Sequence, residues 1–334
     1  MLSKIFAPVT PELKLVQKSI AATLEAVAIT PKSKQVFSYP LASKGKQIRA
    51  ALVLLAAMLP DENDRKNASI RKMAIKVAVA AELLHLATLL HDDVLDLAAQ
   101  RRGKPTLHTL WGSKAAILTG DFFFARAYGL LVETENPDLL LTFTKAIANT
   151  CAGEIQEHLD AFSLQVAPEY YLDRIGNKSA SFFAACAQAG GVIAAREDPY
   201  PAALSRYGYN LGMAYQLMDD ILDLIGDPVA MGKPIGQDIR QGVYTLPTLI
   251  ALEEKNTGPH LKKLLGKPLS QAEIEKVCSL LLRSQGIQSA YKVALEYKER
   301  ALRELELLPP SPVKDSLINL AGFVVNHKKI VANI

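Results

Sequence analysis

The chain has 334 residues, 49% of them hydrophobic and 22% charged, so burial can offset chain entropy and wholesale disorder is excluded. Its 38 Lys and Arg against 34 Asp and Glu leave a net charge of +4, too balanced for a protein that holds nucleic acid by charge alone. Three widely spaced cysteines with no CxxC pair, Cys151, Cys186 and Cys278, argue against a Cys-rich zinc site or a disulfide framework and predict reduced, buried thiols in a cytoplasmic protein.

In chain order, the start MLSKIFAPVTPELKLV has neither an apolar h-region nor a small-residue cleavage site. Thr10-Pro11-Glu12 reads as an N-cap followed by Pro at the first helical position. Gly45-Lys46-Gln47-Ile48-Arg49 opens a helix that continues as AALVLLAAML. That apolar run, Ala50 to Leu59, is the longest, about half of the ~20 residues a bilayer helix needs, so no membrane span is expected. Between Arg71 and Leu97, Val77, Ala81, Leu84, Thr88 and Leu95 recur at the spacing of a helix with one buried face. Breaks fall at Gly103 to Pro105, Gly226 to Pro228, Gly258-Pro259, Gly266 to Pro268 and Pro309 to Pro312, and Ser270 to Glu273 is a capping box. Strand signals are nearly absent. The pattern predicts one all-α domain over residues 1–334, a bundle of many helices.

One pattern occurs twice: LHDDVLDL from Leu90 to Leu97 and MDDILDL from Met218 to Leu224. Residues four apart on a helix share a face, so Asp92 projects with Asp96 and Asp219 with Asp223. Each cluster closes an apolar helix, where the macrodipole is already negative and a third carboxylate, Asp93 or Asp220, adds repulsion. Divalent cations would resolve that conflict, and oxygen-only ligands favour Mg²⁺ shared with substrate phosphates over zinc. A solvated acidic helix end explains one such cluster well and two embedded copies poorly. Cations follow closely. Arg101-Arg102-Gly103-Lys104 trails the first cluster, Lys46 and Arg49 flank a helix start, and Asn177-Lys178-Ser179 heads another apolar helix. Lys233 and Arg240 follow the second cluster. Together they predict two diphosphates in one cavity. His85 stands two turns before Asp92 and is placed to donate to a phosphate. His91, His108 and His158 are expected to make structural hydrogen bonds, and His260 and His327 to be exposed.

At these residues the chain resembles the trans-isoprenyl diphosphate synthases, or polyprenyl synthetases, over nearly its whole length. The matching stretches include SKGKQIRAALVLLAAML, AELLHLATLLHDDVLDLAAQRRGKPTLHTLWG, GDFFFARA, NKSASFFAACAQAGG, YQLMDDILDLIGD, MGKPIGQDIRQGVYTLPTLIAL and AGFVVNHKK. The resemblance implies an all-α bundle of isoprenoid synthase type around a deep central cavity, usually homodimeric, that joins isopentenyl diphosphate to an allylic diphosphate. It implies Mg²⁺, about three ions per site once substrate is bound, held by Asp92, Asp96 and Asp219, with Asp93, Asp220 and Asp223 in support. Arg101, Lys178, Gln216 and Lys233 would hold the allylic diphosphate, with Ser179 standing where the family has Thr. Lys46, Arg49, His85 and Arg102 would hold isopentenyl diphosphate. Two departures stand out. Ala50 replaces the family's Pro, for which a small effect is expected. Val243 replaces a Lys and removes one allylic contact, which leaves room for a second subunit.

Leu84, Ala87 and Thr88 lie one to two turns before Asp92 and would wall the chain-receiving cavity. Ala87 and Thr88 are small where short-product relatives carry rings, so elongation beyond C20 is expected, with Phe122, Phe123, Phe124 and Tyr128 as candidate floor. A short-chain synthase and the catalytic subunit of a two-component enzyme are the alternatives. Other classes fit less well. A di-iron bundle needs two Glu-x-x-His motifs, and Glu82 to His85 has only Glu154 to Glu157 as partner. A terpene cyclase would need no second diphosphate site, and a regulatory subunit would be expected to lose aspartates. The expected partners are the two diphosphates and a second copy of the chain, with at most peripheral membrane contact.

Overall fold

The structure is a computed structural model that describes residues 1–25, 30–42, 45–59, 68–194, 199–226 and 235–326. Its helices, in chain order, are α1 (Leu2–Ile5), α2 (Thr10–Glu25), α3 (Pro31–Ser38), α4 (Ile48–Ala57), α5 (Ala68–Leu95), α6 (Leu107–Trp111), α7 (Ser113–Val132) and α8 (Pro137–Leu159). There follow α9 (Pro168–Ile175), α10 (Ser181–Ile193), α11 (Tyr200–Ile225), α12 (Gln237–Gln241), α13 (Leu246–Leu252) and α14 (Gly258–Leu264). The last are α15 (Gln271–Leu282), α16 (Gly286–Glu304) and α17 (Pro312–Val325). The expected all-α class is what the chain adopts.

The Cα packing divides the chain into two compact units, neither a single run of sequence. The first comprises Met1–Lys145, Ala185–Ser205 and Leu305–Leu320; the second comprises Ala146–Ala184, Arg206–Glu304 and the segment from Ala321. In the first unit, α5 packs against α2, α4 and α7. Helix α4 buries Ile48 and every residue from Ala50 to Ala57, because it is apolar all round rather than on one stripe. At about 1.5–3 kcal/mol for each large aliphatic side chain, this short helix is among the strongest contributors to burial. A Cβ on Gly190 would fall 2.6 Å from Val53 O, so α10 lies on α4 at a separation only glycine allows. In the second unit, α13 packs on α9 and α16.

By length and composition α5 and α7 could cross a membrane, which the uninterrupted-run criterion missed because polar residues are interspersed. Sixty-one per cent of the most apolar stretch of α5 is buried inside the protein, against 33% for α7. Helix α5 is therefore apolar because it forms core, whereas α7 leaves Ile117, Leu118 and Val132 exposed.

The Ser270 capping box forms as expected: its hydroxyl accepts from Glu273 N and Glu273 returns a bond to Ser270 N. A second one, Thr30 with Ser33, was not foreseen. Thr10 is not an N-cap. It is already helical, continuing the turn Ala7–Val9, and its hydroxyl donates to Phe6 O at 3.0 Å. Gly258 begins α14 rather than ending anything, with Pro259 in the first turn. The described cysteines form no disulfide; Cys186 and Cys278 are buried as expected, but Cys151 is exposed.

Candidate active site

In the first unit, α5 stops at Leu95 and Leu97 takes φ 49 beyond it. The bond from Asp96 N to Asp92 O, 2.8 Å, keeps the helical spacing, so these two carboxylates stay on one face as expected. Asp92 is half-buried and Asp96 exposed, while Asp93 is buried and takes Arg101 Nε at 2.7 Å. Asp93 thus has a cationic partner within the protein.

Arg101 reaches Asp93 from a structure the sequence did not announce. Gln100–Arg101 pairs antiparallel with Lys104–Pro105, and the two turn residues, Arg102 and Gly103, take φ 54 and 73. Positive φ at both central positions is the type I′ geometry, whose twist suits a two-residue hairpin. Asn-Gly is its usual signal, and Arg-Gly escaped notice. The turn sends Arg102 toward Gly45: a Cβ there would lie 3.0 Å from Arg102 Nη1. Arg49, at the start of α4, donates from Nη1 to His85 Nε2 at 3.1 Å. Burial first, then the charges of Arg49, Arg102 and Arg101, holds His85 well below the ordinary histidine range. His85 is therefore a neutral acceptor that orients Arg49, and only its other nitrogen remains to donate to a phosphate. Lys46 is exposed at the same helix end. The unit brings Arg49, Arg101 and Arg102 around His85, whereas the family resemblance sets Arg101 apart with the allylic diphosphate.

Ala50 has a larger part than the small one expected. Its amide, one of the donors left over in the first turn of α4, gives a 3.1 Å bond to buried Glu82 Oε1. Proline has no such donor. Burial pushes the Glu82 carboxyl up, the Ala50 amide and Arg49 pulling it back only in part. Of the three wall residues, Leu84 and Ala87 are fully buried, and Thr88 is half-buried with its hydroxyl on His85 O at 2.9 Å. Phe122 stacks on Phe37, Phe123 has no exposed surface, and Phe124 meets His91 edge-on. His91 also bonds Ile117 O and His108 bonds Thr106, the structural roles expected of both. His158 is exposed instead.

In the second unit, α11 presents the other acidic cluster, and its members part company. Asp219 is exposed. Asp220 is buried, bonded by the Tyr171 hydroxyl and by Gln216 Nε2 at 2.8 Å. Burial, aided by the charges of Asp219 and Glu157, pushes its carboxyl up to about 7 against the pull of those two donors. Asp223, 1% exposed, takes the Asp238 amide at 3.1 Å on Oδ2. Asp219 and Asp223 thus do not project together into solvent, because the start of α12 claims Asp223.

Around this cluster, Ser179 Oγ donates to Gln216 Oε1 at 2.6 Å, continuing the line to Asp220. Lys178 lies in the π-turn Gly176–Ala180 between α9 and α10, and its Nζ meets Glu154 at 2.8 Å and Glu157 at 2.5 Å. Burial alone would lower the lysine's pKa, but Glu157 and Glu154 outweigh it and hold the group charged. Arg174, 2% exposed at its side chain, takes Asp160 at 3.1 Å and lies 3.8 Å from Glu157. Arg174, Tyr171, Glu154 and Glu157 were not recognised as part of this site. The two Glu-x-x motifs weighed as iron ligands are committed elsewhere, Glu82 and His85 to Ala50 and Arg49, Glu154 and Glu157 to Lys178. Val243 is half-buried behind Gly242, whose Cβ position would meet the Phe162 ring at 2.6 Å. Lys233 lies outside the described residues.

An acidic face on α5 beside a cluster of arginines, and a second acidic helix with a lysine-bearing turn, define an enzyme that handles phosphorylated substrates in an all-helical frame. The polyprenyl synthetase family model matches residues 30–281, and the chain belongs to that family of prenyltransferases. It is 36% identical over 284 residues to heptaprenyl diphosphate synthase component 2 of Geobacillus stearothermophilus, covering 85% of this chain and 86% of that one. Identity to an all-trans-nonaprenyl-diphosphate synthase of Rhodobacter capsulatus is 32% over 326 residues, 97% of both. Among solved structures, a polyprenyl synthase from Caulobacter crescentus complexed with calcium and isoprenyl diphosphate superposes with a TM-score of 0.90 at 30% identity, covering 98% of each chain.

Proposed function

We propose that this protein is a long-chain trans-prenyl diphosphate synthase that adds isopentenyl diphosphate head-to-tail to an allylic diphosphate and extends the chain beyond C20. The observation that carries the reading is the pairing, within one unit, of the accessible Asp92 and Asp96 with the Arg49, Arg101, Arg102 and His85 cluster. The heptaprenyl and nonaprenyl names of the relatives support the product length.

The donors suit a hard divalent cation. Asp96 and Asp219 are exposed and Asp92 is half-buried, and all three offer carboxylate oxygens; protein donors meet Asp93, Asp220 and Asp223. Among the described residues no three His, Cys, Asp or Glu side chains are arranged to hold an ion by themselves. Mg²⁺ held by Asp92 and Asp96 in the first unit, and by Asp219 in the second, would neutralise charge on a departing diphosphate. Arg101 in the first unit, and Lys178 and Gln216 in the second, would bind the allylic diphosphate, as would Lys233 from outside the described residues, and Ser179 would orient Gln216. Lys46, Arg49 and Arg102 would hold isopentenyl diphosphate, with His85 aiming Arg49. Fixed donors facing the developing charge lower the barrier to an allylic cation, and a bound double bond beside that cation supplies proximity. Leu84, Ala87 and Thr88 would wall the growing chain, small side chains there permitting elongation. The whole chain would act as one catalytic domain in the cytoplasm, as a homodimer whose contact uses the exposed Ile117, Leu118 and Val132 of α7. The alternative is a catalytic subunit that works with a second protein, supported by relatives named as a component.

The test is product chromatography from purified protein given Mg²⁺, farnesyl diphosphate and labelled isopentenyl diphosphate. The expected outcome is a labelled diphosphate longer than C20, lost on chelation. Turnover of the allylic diphosphate alone would indicate a cyclase and end the reading.

A further inference from the structure

Lys178 is held from α8 in a way that nothing in the reaction scheme above requires. Its π-turn leans on Gly153: a Cβ there would lie 2.7 Å from Lys178 N and 2.9 Å from its Cα. Glycine is what admits the turn at this distance. One residue on from Gly153, Glu154 reaches Nζ at 2.8 Å; one turn further, Glu157 reaches it at 2.5 Å. Glu157 also lies 3.8 Å from Arg174 Nε, and Arg174 is anchored on Asp160 at 3.1 Å, so the outer carboxylate is itself braced.

A lysine is a point charge on a flexible stem with three donors. Left to itself, such a side chain meets an anion at the cost of ordering its rotamers. Here the backbone is seated by Gly153, and two of the three ammonium protons face carboxylates at set positions on one rigid helix. The ammonium is thus held at a set position by two carboxylates of one helix. We propose that Gly153, Glu154 and Glu157 form a seat for Lys178, and that the two glutamates are positioning residues that set affinity for the allylic diphosphate through that lysine. The inference rests on the assignment of Lys178 to the allylic diphosphate made above.

The decisive measurement is steady-state kinetics against each substrate for the wild type, Glu154→Gln, Lys178→Ala and the double variant. Glutamine keeps the size of Glu154, and Glu154 bonds no other cation among the described residues that would confuse the result. Glu154→Gln is expected to raise the KM for the allylic diphosphate about tenfold and to leave that for isopentenyl diphosphate within about twofold. On the Lys178→Ala background the same change should add less than about twofold, because the partner it acts through is gone. Gly153→Ala should reproduce the allylic-only rise with both carboxylates intact. An allylic KM that stays put or falls in Glu154→Gln overturns the seat, as does an equal rise for both substrates or an undiminished penalty in the double variant. If Lys178→Ala itself leaves the allylic KM unmoved, the site assignment falls and the seat with it; a raised KM in Lys178→Ala but not in Glu154→Gln sinks the seat alone.

Discussion

The two acidic motifs share a sequence pattern and are built on opposite principles. On α5 the buried member, Asp93, meets a full positive charge from Arg101 on a hairpin. On α11 the buried members meet neutral donors: Tyr171 and Gln216 for Asp220, and a backbone amide for Asp223. Arg101 gives Asp93 a paired charge, whereas burial, aided by the charges of Asp219 and Glu157, pushes Asp220 up to about 7. A repeated motif therefore does not fix the fate of each carboxylate: Asp96 and Asp219 are exposed, Asp92 is half-buried, and each helix's surroundings settle the rest.

The sharpest way to break the comparison is to remove the outward groups. Asp92→Asn and Asp219→Asn should each cost at least about a thousandfold in kcat while melting temperature hardly changes, since both act on the reaction rather than the fold. A variant that keeps a tenth of wild-type turnover would show that its motif is not a cation site. Next come the inward groups. Arg101→Met strands the Asp93 charge and should destabilise by about 2–4 kcal/mol in chemical denaturation, discounted from a fully buried pair because Arg101 is partly exposed. Tyr171→Phe should cost less, about 1–2 kcal/mol, because Gln216 still serves Asp220. Reversal of that order would mean that the two clusters are held alike. Ala50→Pro, which restores the family residue, should cost about 1–2 kcal/mol through the lost donor to Glu82; a neutral result would show that water or a rearranged partner serves that carboxyl.

The smallest effect concerns His85. Its folded pKa lies below its unfolded value, so between the two the unfolded chain binds the extra proton and stability rises with pH. The His85 contribution should thus be flat above about pH 6.5 and fall as pH drops below it, opposite in sign to that of the raised Asp220, and comparing His85→Gln with wild type isolates it.

Much of this was legible along the chain. The helical class, the Asp motifs and the Ser270 capping box follow from local spacing, and the structural bonds of His91 and His108 were foreseen. What escaped depends on partners distant in sequence. Glu154 and Glu157 look like half of an iron motif until Lys178, twenty-odd residues on, is found between them. Tyr171 is an ordinary aromatic until Asp220 receives its hydroxyl. Thr10 carried every sign of a cap, yet the preceding turn already supplied helical geometry. The hairpin at Gln100 to Pro105 has strands too short to show a period.

That hairpin has a consequence for how this stretch can change. Side chains alternate along even so brief a ribbon, and its two left-handed residues leave no slack. Deleting Lys104, or inserting one amino acid beside it, would swap which guanidinium looks toward Asp93 and which toward Gly45. Surface loops usually tolerate such edits; this one should not, and length variation elsewhere on the exterior ought to spare these few positions.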